Sequence, residues 1–435
     1  MKVSLKEHGI QNDDFELLKI SDLIDRNIID KPLDGNHGEL HPKENDYVKE
    51  GIPFVMASDI NDGKINFQSC KYITKKQSDS LRKGFSIKGD VLLTHKASIG
   101  RTALVGAMPY PYIMLTPQVT YYRVNNKSKL NKFYLKHYFD SSFFQQIIKL
   151  WAGSGSTRDY LGINEQQKLP VILPPLSIQE KIAAILSTYD DMIENNNRRI
   201  AIFEKMAEEL YREWFVRLRF PGHEKVKIVK GVPDGWEVKR LGDIASFTMG
   251  QSPESEFYNE VGDGPPFNQG VGTYGRRFPK RTTYCSSDGR RAHKGDILFS
   301  VRAPVGRLNI ADCEMIIGRG LAAIKHKENF NSYLFYLLKT AFSIEDIIGN
   351  GTIFNSVGKD ELAKFAIYQP FKELIKQFDA IVSKIDMEIA IIDQSLERLS
   401  TTRNSLLSRL MSGKIDVENM DIEFPASMKE ELVHA

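Results

Sequence analysis

The chain repeats itself. Residues 87–101, IKGDVLLTHKASIGR, return as HKGDILFSVRAPVGR at 293–307, an offset of 206 positions. Other pairs keep the same order: FELLKISDLI from Phe15 with WEVKRLGDI from Trp236 at 221, and GIPF ending at Phe54 with GPPF ending at Phe267 at 213. Later, GSGSTRDYLG from Gly153 pairs with GNGTIFNSVG from Gly349, and Pro174 and Ile185 pair with Pro370 and Ile381, all at 196. The offset falls and never reverses, as two copies of one domain differing by loop insertions require. Any fold for this chain must therefore accommodate two similar halves.

Each half begins with short apolar runs such as DVLLT, VTYYRV, DILFS and LAAIK, broken by Gly, Pro and Asn, with local helices near 130–150 and 330–348. This pattern predicts a mixed α/β (α+β) domain with mainly antiparallel strands, over 1–175 and 220–370. A long helix follows each domain, over 176–219 and 371–414, and an acidic tail spans 415–435. The first helix is expected to start with a Ser177-x-x-Glu180 capping box after Pro174 and Pro175 and to run to about Phe215. Its expected seam is Ile182, Ile185, Tyr189, Met192, Asn196, Arg199, Phe203, Met206 and Leu210. The second is Phe378, Ile381, Ile385, Ile389, Ile392, Leu396, Leu399, Arg403, Leu406 and Leu410, with a four-four step around Ile385. Two seams of this kind predict that the helices pair as an antiparallel coiled coil about a pseudo-twofold axis, the other arrangement being packing of each helix on its own domain.

No apolar run approaches the ~18 residues of a membrane span, and MKVSLKEHGIQNDDF has no apolar signal-peptide core, so a cytoplasmic location is expected. Cys70, Cys285 and Cys313 stand far apart without a CxxC pair, so no disulfide framework and no metal site is expected. The net charge is only +3, but residues 71–101 hold eight Lys/Arg against two Asp, and 271–307 nine against two. Two basic windows at matched places in a repeat suit a nucleic-acid surface, Lys and Arg neutralising phosphates and loop side chains reaching base edges. The candidate DNA contacts are Lys71, Tyr72, Lys75, Lys76, Lys96, Arg101 and Arg158 in the first copy. In the second they are Tyr274, Arg276, Arg277, Lys280, Arg281, Arg290, Arg291, Arg302 and Arg307. The KGD turns, Lys88–Asp90 and Lys294–Asp296, read as strand entries rather than as site residues.

Several catalytic look-alikes fail on context. Gly270-x-Gly272-x-x-Gly275 follows a Pro-rich loop and precedes RRFPKRT, which cannot open a dinucleotide-binding helix. Asp234 and Glu237 imitate a PD…ExK nuclease core but stand three residues apart, too close for carboxylates from two separate strand ends. Gly351 to Lys359 has six residues between its glycines and Asp360 where a P-loop needs Ser or Thr. No NPPY or NPPF methyltransferase signature occurs, and no catalytic residue is assigned. A free-standing nucleic-acid-binding scaffold and, less well supported, a nuclease remain as rivals to the reading that follows.

The duplicated half, its closing stretch GSGSTRDYLGINEQQKLPVILPPLSIQEKIAAIL and the helix after it resemble the specificity subunit of type I restriction-modification systems over nearly the whole chain. The resemblance rests on the G-x-G-S/T turn, Pro174-Pro175-Leu176, the Gln179-Glu180-x-Ile182 helix start and the GD-apolar-Arg-x-Pro-x-Gly pattern from Gly295 to Gly306. The second copy departs from it, with Gln369-Pro370-Phe371 for the Pro-Pro-Leu turn and Lys376 at the place of Glu180. The resemblance implies two target-recognition domains, each reading half of a bipartite double-stranded DNA site, with the helices as spacer and docking platform. It further implies two modification (methyltransferase) subunits and restriction (translocase/endonuclease) subunits as partners. S-adenosylmethionine, ATP and Mg would be bound by those partners and no cofactor by this chain.

Overall fold

The computed structural model describes residues 14–38, 41–153, 160–342 and 356–432. Both glycine-rich closing turns fall largely outside them, as does Arg158. The chain divides into two compact units, Met1–Asn196 with Ser395–Ala435, and Asn197–Gln394.

In the first repeat the framework strands are β1 (Glu16–Lys19), β2 (Leu33–Asp34), β3 (Ile52–Val55), β4 (Phe85–Ser86), β5 (Val91–Thr94), β6 (Thr102–Leu104), β7 (Ile113–Leu115) and β8 (Val119–Tyr122), with four shorter strands between residues 47 and 73. Helices α1 (Lys132–Asp140) and α2 (Ser142–Ala152), strand β9 (Pro170–Leu173) and the long helix α3 (Leu176–Tyr211) complete it. The second repeat contains β10 (Glu237–Arg240), β11 (Ala245–Met249), β12 (Phe267–Asn268), β13 (Arg291–Ala292), β14 (Ile297–Ser300), β15 (Leu308–Ile310), β16 (Met315–Ile317) and β17 (Leu321–His326). Helix α4 (Asn331–Ala341), strand β18 (Ala366–Gln369) and the long helix α5 (Lys372–Met411) follow.

Two strand sets repeat between the halves, although Tyr47–Val48 and Lys71–Ile73 extend the second set to five strands in the first half, while Tyr258–Asn259 and Tyr284–Cys285 form a separate pair in the second. An antiparallel sheet of order β6-β5-β8-β2 answers to β15-β14-β17-β11. A second set, β3-β7-β4, answers to β12-β16-β13, and in both the central strand runs parallel to the first and antiparallel to the last. One parallel pairing per repeat thus interrupts the antiparallel pattern that short runs alone suggest. Each domain is closed where it meets its helix, by Glu16–Lys19 on Pro170–Leu173 and by Glu237–Arg240 on Ala366–Gln369.

The KGD turns are the tight entries to β5 and β14. Gly89 and Gly295 have φ of +92° and +88°, and Asp90 N–H and Asp296 N–H donate back to Ile87 and His293 carbonyls at 3.1 and 3.0 Å. Positive φ at the third position of such a turn favours glycine. Each Asp then accepts a backbone N–H three residues earlier at 2.8 Å, so these residues hold a strand in place.

Helix α3 has 36 residues and α5 has 40. Leu176 is already helical, so Ser177 lies inside the first turn and the expected capping box does not form. Gln179 ties the helix start instead: it is buried, donates to the carbonyls of Lys129 and Pro174 and accepts from Asn131 N–H. The antiparallel pairing is visible within each unit. In the first, Ile178, Ile182 and Leu186 near the start of α3 share a core with Leu407, Leu410 and Met411 at the end of α5. In the second, Ala207 and Tyr211 at the end of α3 share one with Leu374, Phe378 and Val382 near the start of α5. The helices also pack on their own domains, so the two arrangements weighed from the sequence coexist.

The seam differs in phase from its expected course. Met192 and Met206 on α3 and Ile381 on α5 are exposed. The buried or half-buried row is Ile182, Leu186, Tyr189, Ile193, Asn196, Ile200, Phe203, Ala207 on α3, and Phe378, Val382, Ile385, Ile389, Ile392, Leu396, Leu399, Arg403 on α5. A step of four after Ile182 and after Phe378, in place of three, keeps the alternation regular, and the four-four step disappears. Ile185 still packs against the first core from its margin.

A buried polar cluster joins α1, α3 and α5 in the first unit. Arg403 pairs with Asp190 at 2.9 Å and Asp140 at 3.1 Å, and Lys136 pairs with Asp140 at 3.0 Å and Asp190 at 3.1 Å. His137 donates from Nε2 to Ser187 Oγ at 3.2 Å while Nδ1 faces Arg403. Burial, reinforced by the Lys136 cation, holds its imidazole down at about 3. His95, also buried, donates from Nε2 to Pro117 O, its Nδ1 accepts from Gln166 and Thr120, and burial holds it at about 4. Both rings stay neutral in the fold and take a proton on unfolding. The folded values lie below the unfolded value near 6.5, so stability is full above that pH and is lost as pH falls towards 4. Each histidine should contribute a slope of about 1 kcal/mol per pH unit. Urea titrations at pH 7, 6 and 5 are expected to show the decline, with a shallower slope in His137→Gln; equal slopes would contradict it.

The segment after α5 belongs to the first unit's core. Val417 and Met428 are buried there, with Ile415, Ile422 and Phe424 packed against the same cluster. A Phe-Pro pair follows each long helix, Phe220-Pro221 after α3 and Phe424-Pro425 after α5, and Phe220 is buried in the second unit's core.

Candidate nucleic-acid interface

The second repeat's basic window opens on a compact loop, residues 270–281. Tyr274 N–H donates to Val271 O, Gly275 N–H to Phe278 O, and Lys280 N–H to Thr273 O at 3.0, 3.0 and 2.7 Å. No helix follows Gly275, as its sequence context required. Arg276 and Lys280 project into solvent, and Arg276 also donates to Asn197 O at 3.3 Å. Two candidates from this loop are withdrawn. Arg277 is 3% exposed, paired with Asp386 and stacked on the Phe335 ring at 4.0 Å, so it cannot meet a ligand at the surface. Tyr274 packs against the cluster of Ala292, Leu298, Ala311 and Met315, with its hydroxyl buried, and offers no stacking face.

Elsewhere in this window Arg290, Arg302 and Arg307 are exposed. Arg281 pairs with Asp312, and Arg291 with Glu314 and Asp288, so these two exposed cations are already partly neutralised.

In the first repeat, Lys71 and Tyr72 lie on a short strand, Lys71–Ile73. Lys71 and Lys76 are exposed, and Lys75 pairs with Asp79 at 2.9 Å. Tyr72 donates its hydroxyl to Phe67 O at 2.9 Å and packs beside Tyr110; desolvation and Tyr110 push its phenol up to about 12. Arg101 is exposed, yet its Nη1 is held by Asn61 Oδ1 at 2.8 Å and by the Ile60 and Ala57 carbonyls at 3.2 and 3.3 Å. It anchors the hairpin Ile60–Asn61/Lys64–Ile65. Lys96 lies 5.9 Å above the Tyr160 ring, bridged to it through the backbone.

Tyr160 is a surface aromatic that the window reading passed over. It stands outside both basic windows, and only the bridge to Lys96 shows that it shares their surface. Among the described residues no cluster of His, Cys, Asp or Glu could hold a metal ion, and no helix is long and apolar enough to cross a membrane.

The profile of the family described as the type I restriction modification DNA specificity domain matches residues 12–204 and again 233–401, once per repeat. The chain belongs to this family. A putative type I restriction enzyme MjaX specificity subunit of Methanocaldococcus jannaschii is 32% identical over 384 residues, covering 85% of this chain and 88% of that one. The MjaIX specificity subunit of the same organism is 26% identical, over 87% and 90%. A crystal structure of the type I restriction-modification S subunit from M. genitalium shares the fold at a TM-score of 0.57, with 17% identity and coverage of 94% and 98%. The chain is accordingly a DNA-binding specificity subunit that recognises sequence and leaves catalysis to other subunits of its system.

For a specificity subunit the loops matter more than the sheets that carry them. The two repeats share strand order, KGD turns and closing strands, but the loop 270–281 has no counterpart of matching sequence in the first repeat.

Proposed function

We propose that each unit reads one half of a bipartite duplex target and that the two long helices dock two modification subunits. The observation that carries this reading is the repetition of one sheet framework in two units, each with its own exposed Lys/Arg set and its own loops. Phosphate contacts from the exposed cations position the subunit on the duplex, and polar loop side chains discriminate bases. S-adenosylmethionine, ATP and Mg are bound by the modification and restriction subunits, not by this chain, and the complex works on cytoplasmic DNA.

Mapping methylated sites in cells that express the chain with its modification subunits tests the proposal. A target of two short specified segments separated by an unspecified spacer is the expected result. Gel filtration should also show the chain eluting with those subunits. A continuous unsplit target would overturn the division between units, and DNA binding without any association with a methyltransferase would favour a free-standing scaffold.

A further inference from the structure

The most basic loop of the second repeat contains one cation that cannot face DNA. Arg277 lies between the exposed Arg276 and Lys280, yet its side chain turns inwards. Its guanidinium rests on the Phe335 ring at 4.0 Å and over Tyr336 at 5.5 Å. Nη1 donates to the Tyr336 hydroxyl at 3.2 Å, and Nη2 pairs with Asp386 on α5. Asp386 is held in turn by Ser332 Oγ at 2.6 Å, and Arg277 O accepts Ile310 N–H at 2.9 Å. Ser332, Phe335 and Tyr336 lie on one face of α4, at the i, i+3 and i+4 spacing that aligns side chains. A buried, stacked and charge-paired guanidinium has a single geometry, and Arg supplies it where Lys would not.

The first repeat places a different partner at the same point. Asp190 follows Pro174 by the same sixteen positions that separate Asp386 from Pro370, but it pairs with Lys136 and Arg403 rather than with a residue of a basic surface loop. The first repeat's hairpin reaches its helix through Lys64 and Glu194, with more than half of the Lys64 side chain exposed. Among the described residues, the buried pair of Arg277 with Asp386 ties a basic loop of the second repeat to its helix.

We infer that Arg277 is a positioning residue: its pair with Asp386 fixes the loop 270–281 to α5, so that the helix sets where Arg276 and Lys280 stand and hence how the second half-site is read. The inference rests on the half-site reading proposed above. An untethered loop would have to be ordered on each encounter with DNA, and wrong sequences could be met by rearrangement.

The test uses the full chain with its modification subunits, bound to duplex libraries randomised in one half-site at a time. Arg277→Met, Arg277→Lys and Asp386→Asn are compared with the unaltered chain, and thermal melting gives the folded fraction. Arg277→Met and Asp386→Asn should each lose ~10-fold or more of the discrimination at the second half-site and none at the first, with Arg277→Lys between them and the unaltered chain. The slope of log affinity against log salt should not change, because no phosphate contact is removed. A slope reduced by about 0.9 in Arg277→Met with discrimination intact would make Arg277 a phosphate contact and overturn the inference. Intact discrimination in Asp386→Asn, or loss at both half-sites in proportion to the folded fraction, would overturn it as well. Arg277→Lys keeps the cation in its apolar seat and so covers the case in which Arg277→Met fails to fold. If the unaltered chain itself shows no bipartite preference, the half-site reading fails, a result separable from any effect at Arg277.

Discussion

Affinity for target DNA should fall by ~10³ to 10⁵ between 50 and 200 mM salt, the loss expected when about 6 to 10 phosphates are neutralised. The two basic windows contain 17 Lys/Arg, but not all are available. Lys75, Lys83, Arg277, Arg281 and Arg291 are paired with carboxylates. Lys71, Lys76, Arg82, Lys88, Lys96, Arg101, Arg276, Lys280, Arg290, Lys294, Arg302 and Arg307 remain, all exposed. Twelve cations can supply 6 to 10 contacts even if several point away from the duplex. Reversal of one that touches phosphate, for example Arg290→Glu or Arg307→Glu, should lower affinity across all sequences and reduce the salt slope by about 1. Fluorescence anisotropy over a salt series measures both quantities. A salt-insensitive complex would rule out an electrostatic interface on these windows.

Exchange of residues 1–175 for the matching domain of a relative should replace the first half-site entirely and leave the second unchanged. The first repeat is a complete sheet framework, closed by β1 on β9 immediately before α3. Its core, however, is completed from the other end of the chain, by Leu407, Leu410, Met411, Val417 and Met428. A foreign domain would meet these side chains without matched packing, and misfitted buried apolar groups of this size typically cost about 1–3 kcal/mol. The exchange should therefore lower the melting temperature, and exchange of 415–432 from the same relative should restore part of the loss without altering either half-site. Methylation-site sequencing and thermal melting read the two effects separately. A change in both half-sites would refute the division of labour, and stability unaffected by the tail would refute its role in the core.

The duplication was legible because two copies can be aligned to each other without a third sequence. Matching runs around Gly89 and Gly295, Phe54 and Phe267, and Pro174 and Pro370 mark strands that occupy equivalent places in the sheets. The KGD turns were legible because their glycines need positive φ and their aspartates cap the turn locally. The existence of the long helices followed from apolar periodicity, but their phase did not. Met192 and Ile193, or Ile381 and Val382, are adjacent apolar residues, and only the partner surface decides which is covered.

The interface was read less fully, for one physical reason: a count of Lys and Arg does not record burial. Arg277 and Arg276 are indistinguishable by type and neighbours, yet Asp386, more than a hundred positions later, draws one inwards while the other stays in solvent. Tyr274 has the same history, covered by apolar residues between Ala292 and Ala323. The tail after α5 was legible only as acidic in composition, and Val417, Phe424 and Met428 are spaced among those charges so that they reach the first unit's core. Local chemistry, turns, periodicity and repetition were thus determined by the sequence itself, since each depends on residues a few positions apart or on a copy elsewhere in the chain. Which cation reaches solvent, which face of a helix is covered and where the chain's last segment packs were decided by the tertiary structure, because burial is a property of surfaces brought together from distant parts of the chain.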